Sequence, residues 1–451
     1  MARRIRRLKG FSRSSEQGLL FHFASSPAAV NAAAMPSLLM PISLRVRVYH
    51  RSLGPGTSPP LTPTLAQPTL APITETPGPT ASRWSIAMQF GLFMMPLHPP
   101  HRSYADSYDR DLDLLQAADR LGFHEAWIGE HLTERWENAP FPDLLIAKAS
   151  ALTENIRLAT GVTLLPIHNP IELAHRIAML DHLTRGRLYW GIGHRAIPTD
   201  LQLFGMDPGQ GDDVRRRAAE VLDVVLSLWA SDGKFEYHGE FFDIEAPELD
   251  PVLERGLHMK PLQQPHPPIG VAATSIGSSS IRVAGREGYI PMSSSNLAPH
   301  YLGDHWTTVE DAAAEAGREA RRSDWRIGRD VFVAETPEEA RERAYAVLGR
   351  NYLQHQLPNR LGSGLIQATK IDPNMADDEL TVDYMMENIW IVGDPDECAQ
   401  RIRQLYDEVG GFGHLLCITQ DPDDHQWELD CLRLIAEEVA PRVSDLTGDP
   451  A

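Results

Sequence analysis

What most constrains this chain is an alternation of two periods. Between Glu125 and Pro170 a strand-length apolar run ends in an acid–imidazole pair, Glu130 and His131. A helical run follows, and then a second strand-length run ends in another polar loop, Pro166 to Pro170. Parallel α/β proteins build sites in this way, collecting polar groups where each strand stops. The arrangement recurs downstream. Strands are expected at Gln89–Phe93, Ala126–Gly129, Ile156–Leu165, Arg187–Ile192, Ile269–Ala273, Tyr289–Met292, Ile327–Ala334 and His414–Thr419. Eight strands alternating with helices predict a TIM-type (β/α)₈ barrel over residues 88–451. A doubly wound open sheet is the alternative, but it usually has fewer strands and a clearer Gly-rich first turn.

The intervening helices have readable ends. Leu114, Leu115, Ala118 and Leu121 share a face that Gly122 terminates; Asp143 is read as the cap of LLIAKASAL. Asp212 and Asp213 open a helix with an apolar stripe from Val214 to Trp229, and Pro337 suits a first helical turn. Two stretches break the rhythm. Residues 231–267 hold a hairpin-like GKFEYHGEFFDI and a proline-rich connector, and residues 350–388 form a second irregular insertion.

Residues 1–87 differ in kind. They carry ten Arg and Lys against Glu16 and Glu75, and Pro and Gly punctuate them too often for a helix or strand. An organellar targeting peptide, a secretory signal and an upstream over-extension of a chain that begins at Met88 are the competing readings, and the third is favoured because a strand starts at once with MQFGLF. The segment is expected to be disordered and without chemistry. With its balance of +8 removed from the total of −19, the body is near −27. Such a body repels nucleic acid and anionic membranes and suits a soluble cytoplasmic enzyme acting on small molecules. No run approaches the ~18 apolar residues a membrane span needs. Cys398, Cys417 and Cys431 lack metal-type spacing and are expected to be buried free thiols.

The strand ends are rich in hydroxyls and imidazoles and poor in carboxylate pairs, which suits phosphate binding and oxygen polarisation better than two-carboxylate hydrolysis. The run Gly191-Ile-Gly193-His194-Arg195-Ala196 mimics a dinucleotide turn but lacks its closing acid; a phosphate cradle and a tightly packed turn both remain open. His98 and His101 lack a third ligand, so no metal is expected. Asp181 and Arg187 are read as an ion pair at a tight turn, and Asp377, Asp378 and Glu379 as solvated surface.

The motifs WIGEH (127–131), TENIRLATGVTLLPIHNP (153–170), LDHLTRGR (180–187), GIG (191–193) and VGDPDE (392–397) together resemble the flavin-dependent luciferase-like monooxygenases. EHLTERWENAPFPDLLI followed by LLPIHNP is similar to the limonene and diketocamphane monooxygenase branch. The resemblance covers residues 88–451 and none of 1–87. It implies a homodimeric barrel that takes reduced FMN from a separate flavin reductase and inserts one oxygen atom from O₂ into an organic substrate. Catalysis would fall to His131 with Glu130 before it. The family's non-prolyl cis peptide would fall at Gly161–Val162. FMN would be held by these two residues together with Gly193, His194, Arg195, Thr274, Ser275 and Ser278. Leu132 stands where bacterial luciferases have a second histidine, which points to a terpenoid alkene or cyclic ketone rather than an aldehyde. A deazaflavin-dependent hydride-transfer enzyme and a non-catalytic flavin-binding protein are the alternatives.

Overall fold

The computed structural model describes residues 87–449 apart from Pro96, Arg195 and Ala196. The expected disorder of the extension therefore lies outside the described residues, except for Ala87, which bridges to Thr447. Eight strands, numbered here around the barrel, run parallel and pair in chain order: β1 (Gln89–Met94), β2 (Glu125–Ile128), β3 (Arg157–Leu164), β4 (Leu188–Gly193), β5 (Ile269–Ala273), β6 (Ile290–Ser293), β7 (Arg326–Arg329) and β8 (His414–Ile418). β1 closes the ring against β8, from Gln89 opposite His414 to Phe93 opposite Ile418. The (β/α)₈ expectation holds.

The barrel interior is filled by a large residue set among glycines. Trp127 on β2 is fully buried with Ala159, Tyr189, Met292 and Leu416. It fits because β4 and β5 carry glycines where its ring reaches them: a Cβ on Gly270 would lie 2.5 Å from the Trp127 ring, and one on Gly191 would lie 3.1 Å from that ring and 2.0 Å from the Thr160 carbonyl oxygen. Below this layer, Glu125 at the start of β2 meets Arg326 of β7 at 3.1 and 3.2 Å, with His124 and His414 alongside. Burial alone would raise the Glu125 carboxyl, but Arg326 and His414 hold it well below the usual carboxylate range. The barrel-floor acid is thus Glu125. Its charge is already met by a guanidinium, so the His–Glu–His grouping is not a free cation site.

Outside the ring, the first helix (Tyr104–Leu121) is capped by the Ser103 hydroxyl and stopped by Gly122 at φ 82°. The expected hairpin pairs Phe235–His238 with Asp243–Ala246. All three cysteines are buried and free.

Four sequence expectations are corrected. Asp143 does not cap its helix, which starts at Pro142; it sits in the first turn and pairs with Arg176 at 3.0 Å. Asp181 and Arg187 form no ion pair. Asp181 accepts the backbone and side-chain N–H groups of Gln263 (2.7 and 2.8 Å), while Arg187 serves carbonyls of Ser150, Thr153, Ile156 and Thr184 and the Thr153 hydroxyl. The strand expected over Ile327–Ala334 breaks at Asp330: Arg326–Arg329 stays in the barrel, and Val331–Val333 turns outward to pair with Ile391–Gly393. The second insertion is largely helical. The helix begun at Pro337 continues through two π-helical turns, Tyr345–Gly349 and Tyr352–Gln356, into Leu357–Ser363.

Replacing Gly191 by Ala drives a methyl into backbone oxygen that cannot retreat. We expect a destabilisation of at least ~1–3 kcal/mol, measured as a lowered urea midpoint; an unchanged midpoint would show that the barrel can relax around Trp127.

Candidate active site

A cavity of about 290 Å³ opens at the C-terminal mouth of the barrel. Apolar side chains from β1, β3, β6 and β8, among them Phe93, Val162, Met292 and Leu416, form its walls. Its rim is polar, with Glu130, His131, Glu137, Thr274, Ser293–Asn296, His355, Gln356, Asn359 and Arg360. A mainly apolar pocket with a few convergent polar groups at strand ends is the form of a small-molecule site.

His131, just past β2, is the centre of a charge network. Its Nδ1 lies 3.1 Å from Asp200 Oδ2 and its Nε2 lies 3.1 Å from Glu137 Oε2. Asp200 is itself fully buried, accepting the Leu132 and Thr133 amides and the Thr133 hydroxyl. The second oxygen of Glu137 meets His355 Nε2 at 3.0 Å, and Asn359 Nδ2 lies 3.2 Å from the other ring nitrogen. Trp136 stacks on His355 with ring centroids 5.6 Å apart. Glu137 therefore links the loop after β2 to the helical arm from Pro337.

The protonation state follows from this geometry. Burial would lower the His131 pKa, but the two carboxylates raise it to about 10. Burial would raise Glu137, but the imidazoles of His131 and His355 bring it down to about 2. His131 is thus an imidazolium at neutral pH with both N–H groups held by carboxylates. To donate into the cavity, its Nε2–H must be released by Glu137.

Glu130 has a different place. It is buried at the end of β2, where one oxygen accepts the Leu164 amide at 2.6 Å and the other meets His168 Nε2 at 2.9 Å. These bonds brace the end of β3 beside the cavity. Gly161 and Val162 line the cavity, and the peptide between them is cis, as the resemblance implied. Gly193 ends β4, where a Cβ would strike Val162 at 2.6 Å, and half-buried His194 follows it. Arg195 lies outside the described residues. Thr274 lines the cavity after β5. Ser275 turns its carbonyl to His305 Nε2 at 2.9 Å, and Ser278 precedes the helix Ser279–Glu287 without making a side-chain cap bond. Neither serine lines the cavity, so the expected residues form a cavity set and an adjoining loop set. His98, weighed as a metal ligand, is buried between Asp111 (3.2 Å) and Asp421 (2.9 Å), while His101 is exposed. Asp200, Glu137, His355 and Arg360 were missed. Asp200 and His355 lie 69 and 218 residues from the groups they meet, and no local motif marks such pairs.

Comparison with known proteins follows the geometry. The model of the luciferase-like monooxygenase family matches residues 88–411. The chain belongs to the luciferase-like monooxygenases. It is an enzyme of that class, an oxidoreductase on a TIM-type barrel. The 4-hydroxyprotoasukamycin monooxygenase of Streptomyces nodosus subsp. asukaensis is 33% identical over 371 residues, covering 79% of this chain and 92% of that protein. Limonene 1,2-monooxygenase of Rhodococcus erythropolis is 31% identical, covering 80% and 88%. Among solved structures, the oxygenating constituent of 3,6-diketocamphane monooxygenase from Pseudomonas putida, a type II Baeyer–Villiger monooxygenase in complex with FMN, aligns with TM-score 0.74 at 30% identity. That alignment covers 79% of this chain and 99% of the other.

The raised pKa of His131 makes stability pH-dependent. The folded state binds the proton more tightly than the unfolded chain, so this contribution is full below about pH 6.5 and is lost as pH rises toward 10. We expect the urea midpoint to fall across that window and the fall to flatten in Asp200→Asn. Identical profiles for the two proteins would show that the pair does not set the titration.

Proposed function

We propose that this enzyme inserts one oxygen atom from O₂ into a hydrophobic small molecule, a terpenoid alkene or cyclic ketone, using reduced FMN delivered by a separate reductase. The reading includes a homodimer in the cytoplasm. The observation that carries it is an imidazolium, His131, on the rim of an apolar cavity at the mouth of a barrel of this family. The activities named for the relatives support the reaction class, and the FMN in the 3,6-diketocamphane structure supports the cofactor.

The residues present fit that cofactor. The helix Ser279–Glu287 has no acidic residue in its first turn and no side-chain cap, so its first N–H groups remain for a phosphate, with Ser275 and Ser278 in the loop before it; Gly193, His194 and Arg195 would add to that site from the loop after β4. Gly161, Val162 and Thr274 would face the ring system in the cavity. Reduced FMN, when bound, supplies the electrons that activate dioxygen. The chain does the rest. The apolar walls exclude water and hold an apolar substrate. His131 supplies a proton or hydrogen bond from Nε2, poised by Asp200 behind it. Glu130 is a positioning residue that holds the end of β3 through Leu164 and His168.

The test supplies the full chain with FMN, a flavin reductase, NADH and ¹⁸O₂ against terpenes and cyclic ketones. We expect product carrying one labelled oxygen; NADH consumption without labelled product from any of them would overturn the reading. His131→Ala should lower product formation by roughly 10²-fold or more while FMN affinity stays within about threefold. Undiminished product would remove the proton-donor role.

A further inference from the structure

The cavity has a second cation that the proposed chemistry does not use. Arg360, on the helical arm, lines the cavity and is only 9% exposed. Among the described residues it meets neutral oxygens alone. Nε donates to Thr369 Oγ1 at 3.1 Å, and Nη2 donates to the carbonyls of Asn296 (3.3 Å) and Leu365 (3.2 Å). Nη1 takes part in none of these bonds. Burial pushes the guanidinium down to about 10, so it remains charged at neutral pH. A buried cation without a paired anion is costly to keep.

The surroundings sharpen the point. Asp330 is the carboxylate whose field reaches Arg360, but it is shared with buried Arg329. Burial drives the Asp330 carboxyl up to about 6 against the pull of Arg329, and one of its oxygens already accepts from Gln420 at 2.7 Å. Arg329 donates to the carbonyls of Ser295, Leu297 and Gly328, so it too lacks a carboxylate of its own. Two amide oxygens on the same stretch of cavity wall are unspent. Asn296 Oδ1 and Gln356 Oε1 are buried without a hydrogen-bond partner, and both residues line the cavity. A fixed positive charge set in an apolar pocket is the complement of an anion on an apolar body, and the unpartnered amide oxygens beside it are acceptors for an N–H or O–H of the same occupant.

We propose that Arg360, with the Asn296 carboxamide beside it, forms an anion-binding subsite that takes a negatively charged oxygen of the cavity's occupant. The inference rests on reading this cavity as the place where flavin and substrate meet. Two occupants bring such an oxygen: a substrate bearing a carboxylate on a hydrocarbon skeleton, or the pyrimidine edge of the reduced, deprotonated flavin ring.

The experiment has two arms on the full-length protein, neither of which measures oxygenation, so failure of the proposed reaction would leave both readable. In the first, flavin-free protein is titrated calorimetrically with benzoate and with neutral benzamide. In the second, the affinities for oxidised and reduced FMN are compared through the midpoint potential of the bound couple. Wild type is compared with Arg360→Met, Arg360→Lys and Asn296→Ala; the last two keep the fold testable if Arg360→Met does not accumulate. A benzoate preference of about tenfold or more, abolished in Arg360→Met, partly kept in Arg360→Lys and weakened in Asn296→Ala, assigns the subsite to substrate. No such preference, but a loss of at least tenfold in reduced-over-oxidised affinity in the variants, about 30 mV for a two-electron couple, assigns it to the flavin. Equal benzoate and benzamide affinities together with an unmoved potential overturn the proposal.

Discussion

The structure depends on steric room for one indole. Trp127 fills the space enclosed by the strands, and it can do so only because Gly191 and Gly270 give it their side-chain volume. Close packing inside a closed barrel leaves no slack, so the strand register and the depth of the cavity floor are set together. The mouth above the indole is therefore a fixed frame on which loops of very different character can be placed. The chemistry belongs to those loops and not to the strands.

At that mouth the chain keeps charges where burial would ordinarily expel them. His131 stays cationic because two carboxylates flank it, and Glu137 stays ionised because two imidazoles share it. Each group also has a partner from another barrel loop, Asp200 for His131 and His355 for Glu137, so the network fixes the loops relative to one another. Arg360 is held in another way, by carbonyl and hydroxyl oxygens that orient the guanidinium without neutralising it. The charge of His131 is thus met by its carboxylates, while Arg360 sets a positive charge on one side of the cavity in a protein whose total charge is strongly negative. Attraction at the site is local, while the long-range field of the molecule repels anions.

Much of this was legible in the sequence, because strand period, glycine stops and helix caps are local signals. β5 was read as Ile269–Ala273 and is found there, and the hairpin near residue 240 and the strand-end position of His131 followed from patterning alone. The failures share a cause. The run Ile327–Ala334 looks like one strand because apolar residues continue across Asp330, and only the tertiary pairing of Val331–Val333 with Ile391–Gly393 divides it. The insertion at 350–388 reads as irregular because residues such as Pro358 and Gly362 interrupt its period; in the structure the helix from Pro337 carries on into it through π-helical turns. Asp200 and Glu137 carried no signal, since an acid in a polar loop reads as solvated until the fold brings an imidazole to it. The catalytic role expected of His131 and the cis bond at Gly161–Val162 rest on family resemblance, not on the residues' own pattern.

The outward turn at Asp330 has an architectural consequence. The entire excursion from Ala334 to Trp390 leaves and re-enters beside itself, because its two roots, Val331–Val333 and Ile391–Gly393, are hydrogen-bonded as neighbours. A segment clamped at its base changes length at little entropic cost, since closure depends only weakly on loop size. The excursion carries His355, Gln356 and Arg360 to the cavity wall, where His355 and Arg360 meet the barrel loops through Glu137 and Asn296. Ligand preference in such a chain is modular: exchanging one clamped segment rewrites a wall of the cavity, provided that it keeps a partner for Glu137 where His355 stands, while Asp200 and the barrel strands behind His131 stay as they are.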